Sequence, residues 1–451
     1  MIEKGYIFMS HVFRFTFFRF IFCWLILIAA FSISAQAQSN RIDIIRHDAP
    51  ELASYGDLNI GVRTVIVTDN NRPDILMTKQ GEATVYYNRD LTLEIWYPAQ
   101  LKTGQQTGGQ YISTTPNTAI NATLTGKAVR NANPLQTNIP YPLVIISHGY
   151  PGNRYLMSHL GENLASKGYI VASIDHSDST YEDRQGFAST LYNRPLDQRF
   201  VISEMAAMNN NAGSFLAGIL NADLTALIGY SMGGYGAINN LGGGYNPNRA
   251  RIPVAPPNDM LLHHSSSNPD FRNSLDTRIK AGVAIAPWGM ATGMWRAEDL
   301  HNISVPTLFV AGSLDKVAGY EKGIRSLYKN AINSDRYLLT YINAGHSAGA
   351  PIPTPVEIVN SESNTGADHY TDRVWDNVRM NNIMDHFITA FLDLKLKDKT
   401  RNQAWLDLVP DSSESVYSMK AGKPTKTHTY WKGFPQGTAI GLKLEHLAAE
   451  Q

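Results

Sequence analysis

The pentapeptide Gly229-Tyr230-Ser231-Met232-Gly233 is the feature that most constrains the fold of this chain. It directly follows the apolar run at residues 224–228 and directly precedes a run of small residues at 233–237. The apolar run predicts a buried strand, and the small residues let a helix begin close to that strand. The segment therefore predicts a strand, a sharp turn that carries Ser231, and a helix.

Apolar runs elsewhere in the chain repeat this alternation of strand and helix. Residues 143–146 are continuously apolar, as expected of a strand that is buried on both faces of a parallel sheet. The alternation predicts an α/β fold with right-handed crossovers, a mostly parallel sheet and helices on both faces. We expect strands at residues 143–146, 169–174, 224–228, 281–286, 307–311 and 337–342, and helices at residues 155–167, 194–209, 232–240, 317–331 and 370–394.

Segments outside this alternation predict the remaining organisation. Two β-rich runs, residues 83–87 and 91–97, predict an antiparallel N-terminal hairpin that turns at residues 88–90. We expect one catalytic domain over residues 38–400 and a C-terminal extension over residues 401–451. Within the domain, the Gly-, Thr-, Asn- and Pro-rich residues 102–140 predict a surface insertion, and the irregular, Pro-containing residues 245–278 are a possible lid over the site.

The first 37 residues have the order of a secretory signal peptide. Lys4, Arg14 and Arg19 precede an apolar run at residues 20–31, and Ala35-Gln36-Ala37 is a small-x-small cleavage site. Since the apolar run is shorter than the ~20 residues that a membrane span needs, we expect cleavage after Ala37 and no stable membrane anchor afterwards. Export to the periplasm or the medium is the corresponding prediction.

Composition excludes several classes of function. Lys plus Arg and Asp plus Glu both number 39, so the chain has no basic excess for binding nucleic acid. Its single cysteine, Cys23, lies in the predicted signal peptide. The mature chain is therefore expected to lack disulfides, thiolate metal sites and a cysteine nucleophile.

Ser231 is the predicted nucleophile, and a serine hydroxyl needs a base and an orienting acid. A sharp strand-to-helix turn of this kind is accompanied by the chain order Ser, Asp or Glu, then His, with each residue just past a strand. Asp315 follows the strand at residues 307–311, and His346 follows the strand at residues 337–342. A predicted helix separates the two, so Asp315 and His346 are the predicted acid and base.

Other acidic and histidine residues compete with this assignment. Asp276 precedes a strand and Asp299 lies well past one, so neither has the required position. His148 is expected to shape its loop rather than act as a base. The remaining competitors lie in the irregular segment, near or in the final helix, or in the tail: His263, His264, His369, His386 and His428. Asp259 is the carboxylate nearest His263 and His264, but no third histidine is close, so no metal site is predicted.

The oxyanion hole should combine two backbone N–H groups, one from the residue after the nucleophile and one from the loop after an earlier strand. Met232 is the first, and the loop at residues 148–152 supplies the second. We select the Tyr150 N–H, because Pro151 has none. Trp288, which follows the strand at residues 281–286, is expected either to wall the substrate pocket together with the Tyr150 ring or to pack in the core.

Residues 141–149, 162–169 and 175–179 resemble the bacterial dienelactone-hydrolase-like and platelet-activating-factor-acetylhydrolase-like α/β-hydrolases. The resemblance extends roughly from Glu94 to Leu394, with the serine turn, acid and base in the family order. It implies an α/β-hydrolase fold and esterase activity. Dienelactone hydrolases use a cysteine nucleophile where this chain has Ser231, so dienelactone is not the expected substrate. The set of Tyr150, Met232 and Trp288 is also similar to that of cutinase-type polyester hydrolases.

These observations predict a serine carboxylic ester hydrolase that acts through an acyl-enzyme on a small-molecule or lipid ester and needs no cofactor. The same residues leave other bonds open, because pocket shape decides the substrate. An acetylhydrolase or phospholipase-A2-like lipid hydrolase and a cutinase-like polyester hydrolase are alternatives. A non-catalytic α/β-hydrolase that binds a ligand is a further alternative of a different class.

Overall fold

A computed structural model describes residues 40–450, and a twisted sheet that is parallel at its centre organises them. The apolar runs form its inner strands, which are buried on both faces because helices cover the sheet on each side. The strands are β1 Asn40–Arg41, β2 Asn59–Pro73, β3 Tyr86–Gln100, β4 Gln110–Thr114, β5 Asn121–Thr125, β6 Val129–Arg130, β7 Asn133–Pro134, β8 Tyr141–Ser147, β9 Ile170–Asp175, β10 Leu220–Tyr230, β11 Ile279–Ile285, β12 Thr307–Gly312, β13 Arg336–Tyr341, β14 Met419–Lys420, β15 Lys423–Pro424 and β16 Leu442–Leu447.

The main sheet has the order β16-β13-β12-β11-β10-β8-β9-β3-β2-β6. Strands β13 to β9 in this order pair in parallel, while β16, β3 and β2 join antiparallel to their inner neighbours. The predicted α/β fold is confirmed. Because the central strands are parallel, the loops after β8, β10, β12 and β13 all emerge at one edge of the sheet.

The helices lie between the predicted strands, with some shifted boundaries. The α-helices are α1 Ser158–Ser166, α2 Phe187–Asn210, α3 Met232–Asn240, α4 Arg325–Asn330, α5 Val356–Val359 and α6 Asn377–Leu396. The segment predicted as a helix at 317–331 divides into a π-helical turn, Tyr320–Ile324, followed by α4. The last helix begins seven residues later than predicted, where the Asp376 side chain accepts a hydrogen bond from the Arg379 amide at 2.8 Å.

Helix α2 begins at Phe187, seven residues before the predicted start, and contains Pro195. Proline cannot bond to the carbonyl four residues earlier, which here is that of Leu191. The Tyr235 hydroxyl on α3 donates to this free carbonyl at 3.2 Å. The interior proline is therefore accommodated by a contact between two helices that both pack against β10.

The predicted turn at residues 88–90 is wrong, because β3 runs unbroken from Tyr86 to Gln100. The antiparallel N-terminal hairpin forms instead between β2 and β3, with residues 74–85 as its connection. Arg89 lies inside the strand and is buried, and its guanidinium binds both carboxylate oxygens of Asp197 at 2.9 Å. A distant ion pair thus holds a polar segment in a strand.

The predicted surface insertion at residues 102–140 contains ordered, partly buried structure. Strands β4 and β5 form a small sheet with β1, and the buried Tyr111 hydroxyl donates to Glu162 on α1 at 2.5 Å. The same carboxylate accepts hydrogen bonds from the amides of Lys127 and Ala128 at 2.7 and 3.0 Å. The insertion is therefore fastened to the helix layer.

The C-terminal residues join the main sheet, whereas the segment at residues 245–278 is irregular. In residues 401–450, β16 pairs antiparallel with β13, so the predicted extension adds an edge strand to the main sheet. Residues 245–278 contain only short 3₁₀ helices, namely Pro247–Arg251, Met260–His264 and Arg272–Ser274. The predicted signal peptide lies outside the described residues. Over the range that the structure describes, no helix has both the length and the apolarity to cross a membrane.

Candidate active site

Ser231 lies at the turn between β10 and α3 with a positive φ of 51° and ψ of −111°. Non-glycine residues rarely adopt this conformation, so the surrounding packing must hold it. A Cβ at Gly229 would lie 2.2 Å from the Gly233 carbonyl oxygen, and one at Gly233 would lie 1.9 Å from the Ser147 carbonyl oxygen. Only glycine at both positions allows the turn to close this tightly, and the turn leaves Ser231 at the edge of the sheet.

The structure brings Ser231, His346 and Asp315 into one hydrogen-bonded row. The Ser231 Oγ lies 2.9 Å from His346 Nε2, and His346 Nδ1 lies 2.8 Å from Asp315 Oδ2. Asp315 follows β12 and His346 follows β13, and both loops emerge at the edge where β10 ends. When the Nδ1–H donates its hydrogen bond to the carboxylate, the imidazole presents the unprotonated Nε2 to the serine hydroxyl.

Asp315 is held as a carboxylate. Burial acts to raise its pKa, but the hydrogen bond from His346 and those from the amides of Ala318 and Val317 outweigh burial and hold the pKa below its ordinary value. The two amides donate to Oδ1 at 2.9 and 2.8 Å, which leaves Oδ2 for the imidazole. The negative charge can therefore stabilise an imidazolium at His346.

Two further residues, which the sequence did not single out, fix the His346 loop. Asp372 accepts a hydrogen bond from the Gly345 amide at 2.6 Å, directly before His346. The ring of Tyr230 packs against the imidazole with a centroid distance of 5.3 Å. Tyr230 could have been suspected from its place beside Ser231, whereas Asp372 carries no local sequence signal.

Of the two predicted oxyanion donors, Met232 directly follows Ser231, and Tyr150 directly follows Gly149, which lies against Ser231. Met232 is the first residue of α3, so its N–H has no partner one turn earlier in the helix. Gly149 lies against Ser231, since a Cβ at position 149 would be 3.3 Å from the Ser231 Cβ. In residues 40–450, the Tyr150 N–H donates to no other protein group. Both N–H groups are thus available beside the serine.

Half-buried aromatic rings border the serine on one side. The Trp288 amide donates to the Ser231 carbonyl at 3.1 Å, which places this residue beside the turn. Phe187 lies between the other two rings, 5.3 Å from Tyr150 and 5.4 Å from Trp288 between centroids, in edge-to-face contacts. Phe187 was not predicted; its only local signal is an isolated aromatic after the polar residues 182–185.

A groove of about 580 Å³ is lined in part by His346. Its walls combine apolar side chains with charged ones, and Leu314, Val317 and Val374 are more than half exposed there. The base of the proposed triad therefore borders an open, partly apolar groove.

The competing residues have other partners. Asp276 pairs with Arg278, and Asp299 pairs with Arg296. His148 lies 2.7 Å from the Gly149 carbonyl through Nδ1. Both histidines of the irregular segment contact Tyr192, and across residues 40–450 no group of three or more His, Cys, Asp or Glu side chains could hold a metal ion. The others contact nearby aromatic rings: His369 with Tyr181, His386 with Phe387 and Phe434, and His428 with Tyr417.

Comparison with known proteins agrees with this architecture. A family model described as platelet-activating factor acetylhydrolase, isoform II, matches residues 55–198, which include the loop that bears Tyr150. Cutinase est1 of Thermobifida alba is 28% identical over 212 residues, which are 47% of this chain and 55% of that protein. Platelet-activating factor acetylhydrolase of Cavia porcellus is 26% identical over 211 residues, 44% of this chain and 45% of that protein. The chain spans about half the length of the curated relatives it matches.

A solved structure extends the similarity across most of the chain. The ferulic acid esterase of Streptomyces cinnamoneus superimposes with a TM-score of 0.53 at 20% identity, covering 78% of this chain and 94% of that one. At this identity the likeness concerns the fold. The sheet topology and this likeness show an α/β fold, and the sequence matches are to cutinases and a platelet-activating factor acetylhydrolase.

Proposed function

We propose that the protein is a serine carboxylic ester hydrolase with Ser231 as nucleophile, His346 as general base and Asp315 as orienting acid. The observation that carries this proposal is the continuous row of hydrogen bonds from Ser231 Oγ to His346 and on to Asp315, at 2.9 and 2.8 Å. A serine hydroxyl is a weak nucleophile alone, and this arrangement supplies the base that activates it.

The proposed reaction has two halves. In the first, Ser231 Oγ attacks the ester carbonyl carbon while its proton passes to His346 Nε2, and the imidazolium returns the proton to the departing alkoxide. In the second, His346 takes a proton from water, and the resulting hydroxide attacks the acyl-Ser231 ester. The carboxylic acid departs as Ser231 recovers its proton from His346.

The amides of Tyr150 and Met232 are proposed to stabilise the negative charge that develops on the carbonyl oxygen. Rigid donors aimed at this charge act mainly in the transition state, and loss of one commonly costs about 100- to 1,000-fold in rate. The closeness of Gly149 to Ser231, the position of Met232 directly after it and the free N–H groups support this role.

The acyl group is proposed to occupy the aromatic side of the site. The ring cluster of Tyr150, Phe187 and Trp288 favours a flat or bulky acyl group, as in polyester or aromatic esters, over an acetyl group. A panel of p-nitrophenyl esters whose acyl group increases in size from acetyl to benzoyl tests this preference. Highest kcat/KM for an aromatic acyl group supports it, and a sharp preference for acetyl favours an acetylhydrolase.

Export to the periplasm or the medium is proposed from the N-terminal sequence alone. The expected mature chain begins at Gln38, after cleavage behind Ala37. N-terminal sequencing of protein recovered from the periplasm and the medium checks both statements.

Replacement of the nucleophile tests the function directly. Ser231→Ala should lower kcat for p-nitrophenyl acetate by roughly a million-fold, as for other enzymes with this set of residues. Ser334→Ala is the matched control, because Ser334 is also buried but bonds to the Val305 carbonyl away from the site. Substantial turnover by the Ser231 variant would show that hydrolysis does not depend on this serine.

A further inference from the structure

Arg194 is a buried arginine on α2 that the proposed reaction does not use. Only 1% of its surface is exposed. The aliphatic part of its side chain passes helix α3 at Gly236, where a Cβ would lie 2.8 Å from the Arg194 Cγ. Burying a guanidinium costs free energy unless its donors are bound. The acceptors of its hydrogen bonds therefore indicate which part of the protein the buried guanidinium stabilises.

Within the described residues, the Arg194 guanidinium bonds to uncharged oxygens. One terminal nitrogen donates to the His148 carbonyl, and the other donates to the Gly149 carbonyl at 3.3 Å and to the Ser179 hydroxyl at 2.7 Å. Two of these acceptors are consecutive carbonyls of the loop that carries Tyr150. The guanidinium thus binds two backbone carbonyls of that loop.

The nearest acidic residue on the same helix is already neutralised by other groups. Asp197 binds Arg72 and Arg89, each at 2.9 Å, and His176 at 2.9 Å. Although burial opposes it, the two arginines and the histidine hold the pKa of Asp197 well below its ordinary value. Arg194 therefore bonds to the loop carbonyls and the Ser179 hydroxyl rather than directly to Asp197.

The Gly149 carbonyl and the Tyr150 N–H belong to one trans peptide unit, so they point in opposite directions. Arg194 binds the carbonyl from one side, and His148 Nδ1 lies 2.7 Å from the same oxygen. The His176 amide donates to His148 Nε2 at 3.2 Å, so the His148 proton is on Nδ1 and also points at the carbonyl. These two donors to the Gly149 oxygen fix the orientation of the Gly149–Tyr150 peptide group and polarise it.

We infer that Arg194 is a positioning residue for the oxyanion hole, which aims the Tyr150 N–H at the carbonyl oxygen of the substrate by binding the Gly149 carbonyl behind it. Its unpaired charge also favours the negative charge that develops in the transition state. Four residues further along α2, Gln198 donates to the Gly233 carbonyl at 2.9 Å. One helix therefore holds both loops that supply the oxyanion donors. The inference rests on the proposed ester hydrolysis.

Arg194→Met, which preserves length and removes the charge and donors, is the principal variant. With p-nitrophenyl acetate we expect kcat to fall by about 10- to 100-fold while KM changes by less than about threefold, since the effect concerns the transition state. Arg194→Lys keeps the charge but cannot bind two carbonyls as a fork, so we expect an intermediate loss. If Arg194→Met does not fold, Arg194→Lys serves as the test variant instead.

Arg336→Met is the matched control. Arg336 is likewise 1% exposed and bonds backbone carbonyls, those of Tyr328 and Ser334 at 2.7 and 3.0 Å, but it lies at the start of β13, at the opposite end of the sheet from the site. We expect a lower Tm with kcat within about twofold of wild type, because loss of these bonds affects stability alone.

A transition-state analogue separates positioning from general damage. A trifluoromethyl ketone labelled with ¹³C at its carbonyl forms a hemiketal with Ser231, and the ¹³C shift followed against pH gives the hemiketal pKa. We expect this pKa to rise by about one unit or more in Arg194→Met and to stay at the wild-type value in Arg336→Met.

Each outcome decides the inference. Wild-type kcat and hemiketal pKa in a folded Arg194 variant would overturn it while leaving the proposed function intact. An inactive wild-type protein would overturn the proposed function and, with it, this inference. Loss of kcat with a raised hemiketal pKa, both absent from Arg336→Met, supports the positioning role.

Discussion

Gly233→Ala is the most informative change in the frame of the site, because it adds one carbon where the strand and helix layers meet. The added Cβ would lie 1.9 Å from the Ser147 carbonyl oxygen, whereas ordinary contacts begin at 3.4 Å. The obstacle is backbone of β8, which cannot rotate away as a side chain can. Strand β8 and helix α3 must therefore separate by about 1.5 Å, and such overpacking typically costs about 1–3 kcal/mol.

This separation acts on catalysis through two groups at once. It displaces the Ser231 turn on one side and the loop that begins after Ser147 on the other. A misplacement of about 1 Å can cost about 100-fold in rate, so we expect kcat/KM for p-nitrophenyl acetate to fall by about 100-fold or more. Activity is measured per folded molecule, with urea unfolding as the measure of the free energy of unfolding.

Gly213→Ala is the control, since its added Cβ would meet only the Asn211 side chain at an ordinary 3.4 Å. We expect wild-type kcat/KM for this variant. A Gly233→Ala protein with kcat/KM within about threefold of wild type and unchanged stability would refute the reasoning that only glycine lets the turn close.

Two further predictions concern charge. Asp315→Asn should lower kcat by about 1,000- to 10,000-fold with little change in Tm, because the amide no longer fixes the His346 tautomer; a kcat near wild type in steady-state assays would contradict this. Burial, reinforced by the charge of Lys167, lowers the pKa of His386 to about 3, so the unfolded chain binds more protons between pH 6.5 and 3 and stability falls as pH falls through this window. His386→Phe should reduce the pH slope of the free energy of unfolding by up to about 1.4 kcal/mol per pH unit in urea titrations there, and an unchanged slope would assign the acid sensitivity to other groups.

The sequence predicted the inner sheet well because burial on both faces produces continuous apolar runs. The loops that follow such strands meet at one edge, so the chain order of Ser231, Asp315 and His346 predicted their proximity without knowledge of any contact. The local sequence pattern was sufficient to predict these three residues because each one comes shortly after its strand.

Residues held by distant partners escaped prediction. The polar residues around Arg89 have the composition of a turn, but Asp197, more than a hundred positions later, supplies the ion pair that buries Arg89 in β3. Arg194 and Asp372 act on loops far along the chain, so no local spacing marks them. Strand β16 follows a segment rich in Lys, Gly and Pro, which concealed an edge strand whose first four residues alternate between buried and half-buried.

Covalent labelling of intact protein with a fluorophosphonate, followed by peptide mapping, tests the central claim most directly. We expect a single adduct on Ser231, formed in step with loss of ester hydrolysis and strongly slowed in His346→Ala, because the imidazole accepts the serine proton. Hydrolysis that persists in fully labelled protein, or an adduct on another residue that abolishes activity, would contradict it.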